Sequence, residues 1–287
     1  KVISLGQIMS ALFDFMRIFN IDVWSLFKIP CIARVNHYDK LVAETMMPVA
    51  IVMAIVLLPT LSWLTRGRIR VRFPVAMTIL IYFLYFALPI ISDTIFNTYD
   101  CLDVDVYREV SPIAGYYSYI ATDLSVVCNG PEYAKNLKYA AFSIVMYPLL
   151  LPLLLLLLLY WQRELIEHPR ILDKLREAMK HGISVGPRSE LVTRLSMLFS
   201  NYQPHLWYFE VVEMYTKVLL TSFPSLISDL NSRYIYLILL GLLDLRIRSS
   251  LEPYVLSSQN TLSDIGRVQI LFVNFAAYVV LNHGLEK

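Results

Sequence analysis

The sequence predicts an all-α, polytopic transmembrane helical bundle with six to seven spans. Three observations predict it: 24 charge-free residues between Lys138 and Arg163, 57% hydrophobic against 17% charged residues, and further charge-free windows of spanning length. Residues 149–159 are all leucine except Pro152, so this stretch has no aqueous face. A soluble core helix carries a polar outer stripe, and a buried strand ends within about eight residues. Leucine monotony suits acyl chains, which impose no jigsaw complementarity. Ordinary soluble domains carry about a quarter charged residues, so several spans must share the apolar load.

The windows at 45–65, 73–92 and 268–285 hold 21, 20 and 18 residues without a charge. Each is long enough for a hydrocarbon core of ~30 Å at ~1.5 Å per residue. Residues 207–227 are equally apolar apart from Glu210, Glu213 and Lys217, and 234–243 reach spanning length with Asp244 near the end. Residues 2–19, interrupted by Asp14 and Arg17, supply the seventh span. Without a starting Met, and with Lys1 leading straight into an apolar pattern, the chain reads as part of something longer.

Basic loops stay on the cytoplasmic side. Arg66, Arg68, Arg70 and Arg72 follow the 45–65 span, and 161–206 carries seven basic residues, so both are expected inside. Between them, 97–136 carries six acids against Arg108 and Lys135 and is expected outside, as are 20–40 and 228–233. The chain thus divides into transmembrane helices with outer loops over 1–160, a cytoplasmic linker with a helix over 161–206, and C-terminal transmembrane helices over 207–287. Cys31, Cys101 and Cys128 all fall on the outer side, where disulfides persist. Cys101 and Cys128 share one loop and are the expected pair, closing an otherwise structureless stretch; free thiols are the alternative.

Glu210, Glu213 and Lys217 recur at i, i+3 and i+7 and form one helical stripe, with Glu213 and Lys217 at ion-pair spacing. Charges at this depth are costly in lipid and must face protein or water. Two readings stay open: a cation-coordinating or gating stripe facing the bundle, or an interhelical salt-bridge clamp near the cytoplasmic boundary. Asp244, Arg246 and Arg248 read as a helix-end anchor. Pro48, Pro59, Pro89, Pro148, Pro152 and Pro224 lie in or beside spans and predict kinks. Residues 161–181 predict a helix broken at Pro169, lying on the membrane or a partner.

Enzyme chemistry is not expected. The five histidines form no HExxH or paired metal spacing, and neither a GxSxG elbow nor a Gly-rich phosphate loop occurs. No catalytic residue and no cofactor are assigned, and no metal ligands are identified. A net charge of +2 gives no electrostatic footprint for nucleic acid. The expected partners are the lipid bilayer and either other membrane subunits or further copies of the chain.

The order of Gln7, Cys31, Tyr38, Tyr99-Asp100-Cys101, Asp123, Cys128, Tyr147-Pro148 and Pro152 resembles a known pattern. Tyr202-Gln203-Pro204, Trp207 to Glu213, Leu219 to Thr221, Pro253-Tyr254, Asn260 and Gln269 continue it. The pattern is that of the transient-receptor-potential-like multi-pass region of large surface proteins from algae, oomycetes and ciliates, distantly like polycystin-type channels. Leu150 stands where that pattern has glycine, and Lys217 is single where it has a basic pair. The resemblance implies a channel-like helical bundle in the plasma or ciliary membrane. The expected function is cation conduction gated by force or ligand, although no carbonyl-rich filter occurs between 234 and 285. The alternative is a non-conducting anchor or structural subunit of a larger assembly.

Overall fold

The structure is a computed structural model and describes residues 36–64, 73–105, 116–181 and 186–284. The expected span over 2–19, Cys31, most of the outer loop 20–40 and the arginine turn 66–72 lie outside the described residues. The chain is mostly helical, with α1 His37–Leu64, α2 Phe73–Asn97, α3 Pro131–Ile166, α4 Pro169–Lys180, α5 Pro187–Arg194, α6 Phe209–Thr221, α7 Leu230–Leu251 and α8 Ser257–Gly284. Among the described residues three helices are long and apolar enough to cross a membrane: Thr78–Asn97 in α2, the whole of α3, and Ser257–His283 in α8.

The expected helix over 207–227 forms only from Phe209 to Thr221. Thirteen residues rise ~20 Å, short of a ~30 Å hydrocarbon core. Pro224 prevents its continuation, because proline lacks the N–H that would bond the Leu220 carbonyl and its ring crowds that turn. Short 3₁₀ turns at Pro204–Leu206 and Phe223–Leu226 carry the segment onward at both ends. It thereby runs alongside α2, from Tyr85, whose hydroxyl bonds Glu210, to Asn97, whose Oδ1 accepts from Ser225 at 2.8 Å.

Part of the loop between α2 and α3 is ordered as a sheet, where the sequence reading expected a structureless stretch. Strands β1 Cys101–Asp105, β2 Tyr116–Ile120 and β3 Asp123–Val127 form an antiparallel sheet in the order β1-β2-β3. The run Tyr116-Tyr117-Ser118-Tyr119-Ile120 is rich in aromatic and β-branched residues, which suit a pleated, half-buried surface. Ile120, Val126 and Cys128 bury against Tyr38 of α1 and Tyr133 of α3. Cys101 and Cys128 are disulfide-bonded with Cα atoms 6.4 Å apart. Gly130, at φ +123, makes the turn from the sheet into α3, a conformation L side chains rarely adopt. His37, at the start of α1, donates its backbone N–H to Asp123 at 2.7 Å, and its ring lies 2.9 Å from the Thr98 hydroxyl. This end of the molecule is a polar cap over the helices.

Below the cap, α1, α2 and α3 bury Leu41, Ile91, Ile95 and Ala140. The larger core joins α2, α3, α5 and α6 through Leu88, Leu159, Val192, Leu195, Val211 and Met214. Within α3, Val145–Leu150 widens into a π turn around Pro148, which absorbs the missing N–H and the ring's clash with the preceding turn. The Tyr147 hydroxyl donates to the Thr45 carbonyl of α1, and that of Tyr215 to the Leu149 carbonyl at 3.1 Å.

Helices α7 and α8 form an antiparallel pair. Leu271 lies 3.3 Å from where a Cβ on Gly241 would sit, so glycine is what allows the close approach. The pair flanks the other helices. In the apolar window of α8 no residue is buried, and Leu262, Ile265, Phe272 and Phe275 are exposed.

Candidate functional site

Both carboxylates of the predicted stripe point inward. Glu210 and Glu213, in the first two turns of α6, are only 8% and 5% exposed. Glu210 sits in the first turn, where the helix dipole favours an acid. Its carboxylate accepts from two phenols: Tyr85 of α2 donates to Oε1, and Tyr202 donates to Oε2 at 2.8 Å.

Glu213 meets two guanidinium groups. Arg248 of α7 donates to Oε1, and Arg267 of α8 donates to Oε2 at 2.9 Å. The same two arginines hold Asp244 of α7: Arg248 Nε lies 2.9 Å from Oδ1 and Arg267 Nε 3.3 Å from Oδ2. Two carboxylates and two guanidiniums therefore close a neutral square across α6, α7 and α8. The Arg248 side chain is 1% exposed and sits 5.3 Å over the Phe209 ring. Arg248 is thus no snorkelling helix-end anchor, whereas Arg246, read in the same group, is exposed.

Lys217, at ion-pair spacing from Glu213, places its ammonium 3.2 Å from the Tyr85 hydroxyl and 5.3 Å from that ring's centre. A hydrogen-bonded row thus runs from Lys217 through Tyr85 to Glu210 and Tyr202. Tyr202 stacks on Tyr254 at 5.1 Å, and the Tyr254 hydroxyl donates to Glu213 at 3.3 Å. The rings connect the phenol-held carboxylate to the arginine-held one.

The backbone supports this arrangement. Gln203 N–H donates to the Pro253 carbonyl at 2.9 Å, and Val255 N–H to that of Asn201 at 3.0 Å. The α7–α8 turn is strapped in this way to the linker before α6. Asn260 returns two bonds to the Tyr254 backbone, at 3.0 and 3.1 Å. Glu252 caps α7 in the left-handed region at φ 43, so that Pro253 can leave the helix toward Gln203.

The predicted stripe contributes three members of this site. Sequence reasoning missed Tyr85, Tyr202, Tyr254 and Arg267 as members and misread Asp244 and Arg248. The i, i+4 spacing of Asp244 and Arg248 on an otherwise apolar helix was the available signal.

Chemically, Glu213 accepts from two arginines and a phenol, so a cation reaches it only by displacing one of these donors. Among the described residues Glu210 is paired with no cationic side chain and is held by neutral donors. Among them, too, no three His, Cys, Asp or Glu side chains converge as a metal ion requires. No protein-family model, curated protein or solved structure matches the chain.

Proposed function

We propose that this chain is a channel-like membrane module that conducts cations and is gated by force or ligand. In this reading α7 and α8 are the pore-side pair, and the Glu210, Glu213 and Lys217 stripe is their gating joint. The observation that carries it is the attachment of that pair. The pair, in which the apolar window of α8 has no buried residue, is tied to the remaining helices by ion pairs near the two ends of α7, with Tyr236 packed on Phe223 beside the first of them. Such a pair can tilt as a unit while its free apolar flank packs on lipid, a further copy or another membrane subunit.

The proposal takes six to seven spans: α1, α2, α3, residues 207–227, α7 and α8, with residues 2–19, outside the described residues, as the seventh. It places the cap outside and 161–206 in the cytoplasm of a plasma or ciliary membrane. No carbonyl-rich filter occurs between 234 and 285, so the pore in this reading is weakly selective.

A second reading, a non-conducting anchor or structural subunit, is favoured by one observation: both oxygens of Glu213 are held by arginines, as a permanent clamp requires. Ion flux in reconstituted vesicles, under tension and at rest, separates the two. The channel reading expects wild-type flux that changes in Glu210→Gln while the protein stays assembled. Absence of flux under every stimulus, with assembly lost in Glu213→Gln, favours the anchor.

A further inference from the structure

Helices α2 and α3 pack closely along α3 as far as its π turn and then separate, with α6 closing the rear of the gap. The separation leaves a cleft of ≈ 300 Å³. Its walls include Leu84 and Tyr85 of α2, Leu154, Leu158 and Trp161 of α3, and Met214 of α6. Trp161 is 68% exposed and lies furthest along α3 toward the end opposite the cap. The one phenol in the wall, Tyr85, already bonds Glu210 and Lys217.

We propose that this cleft binds one acyl chain of a bilayer phospholipid. The inference stands whether or not the module conducts. The two long walls belong to helices of membrane-crossing length and composition, so the cleft opens into hydrocarbon. Water is a poor occupant, because a buried water needs about two to four polar partners and these walls supply almost none.

The ends of the cleft also suit a lipid. Arg163, the first charge after the leucine stretch, lies ~3 Å beyond Trp161 along the helix axis. Its guanidinium sits 4.4 Å over the Tyr160 ring, so an indole, a phenol and a cation mark the headgroup level where a phosphate is attracted. A chain seated in the cleft touches Met214 and Tyr85, the phenol that bonds Glu210. Lipid occupancy therefore bears directly on the geometry of the site.

The test uses the intact protein in lipid vesicles doped with a phosphatidylcholine that carries a photoactivatable diazirine in mid-chain. Adducts are then mapped by peptide mass spectrometry. The proposal expects adducts on Leu154, Leu158 and Met214 that saturate at low probe fraction. Adducts on the open face of α8, at Phe272, should instead rise in proportion to the probe. Leu158→Trp, which fills the cleft, should abolish the saturable component, whereas Leu153→Trp, on an exposed position of the same helix, should leave it intact. Labelling of the cleft that rises in proportion to Phe272 labelling overturns the proposal, and so does a saturable component that survives in Leu158→Trp. If Leu158→Trp fails to fold, saturation in the unaltered protein decides the question alone.

Discussion

Helix α7 is tied to the rest of the molecule at both ends by the same chemistry, an arginine on a carboxylate, in two different environments. At the cap end Arg233 pairs with Asp100 at 2.9 Å, with side chains 20% and 15% exposed. At the opposite end Arg248 lies between Glu213 and Asp244 with 1% exposure, and Arg267 closes the square. Water still reaches the first pair, so a member left alone there can hydrate. The second has lost its hydration, so its members depend on one another and none can be removed alone without leaving a buried charge unpaired. Arg233 grips one carboxylate and Arg248 is shared between two, and the deeper burial of the second separates a partly hydrated tether from an obligatory joint.

The most damaging single change should be Arg248→Met, which strips Glu213 and Asp244 of a partner and should cost about 3–5 kcal/mol. Unfolding in detergent micelles should show the loss, and hydrogen exchange should show α7 and α8 freed from α6. Adding Glu213→Gln to that variant should recover part of the loss, because the unpaired carboxylate is then gone.

The cap supplies the next effect. Burial pushes the His37 imidazole down to about 4, and the Asp123 carboxylate offsets only part of this. Between pH ~6.5, the ordinary value for an exposed histidine, and ~4, the unfolded chain binds a proton that the folded chain refuses. The contribution is therefore fully present above ~6.5 and is lost as pH falls toward ~4, up to about 3 kcal/mol. Protection factors of the amides in 101–105 and 116–127, corrected for the intrinsic pH dependence of exchange, should fall over that window, and His37→Gln should flatten the dependence.

At the partly exposed end, Arg233→Ala removes a bidentate pair with Asp100 and a bond to the Ile227 carbonyl and should cost about 1–2 kcal/mol, less at high salt. The smallest effect is expected at Glu252, whose left-handed conformation disfavours a Cβ by roughly 1–2 kcal/mol. Glu252→Gly should raise the melting temperature slightly, because the greater freedom of glycine in the unfolded chain offsets most of the gain.

The helices were legible wherever one physical demand dominated the sequence. The leucine stretch declared α3, and the stripe of Glu210, Glu213 and Lys217 declared the inward face of α6. The sheet was obscured because its strands are short and lie among acidic loop residues, and only Tyr116 to Ile120 carries a strand composition. The partners of Glu213 were obscured for a different reason. Arg248 and Arg267 lie 35 and 54 residues away, and a one-dimensional hydropathy reading assigns an arginine near a helix end to the headgroups. The helix pairing turns such an arginine inward. Local spacing points Lys217 to Glu213, and the face of α2 that offers Tyr85 to it is invisible at that range.

The claim that the charged square is an obligatory joint is tested most directly by a double-mutant cycle of Glu213→Gln and Arg248→Gln, read as unfolding free energy in micelles. The account predicts a coupling of at least about 2 kcal/mol, with the double variant less damaged than the sum of the single ones. Losses that add to within about 0.5 kcal/mol would contradict it, since two residues that add independently do not form one joint.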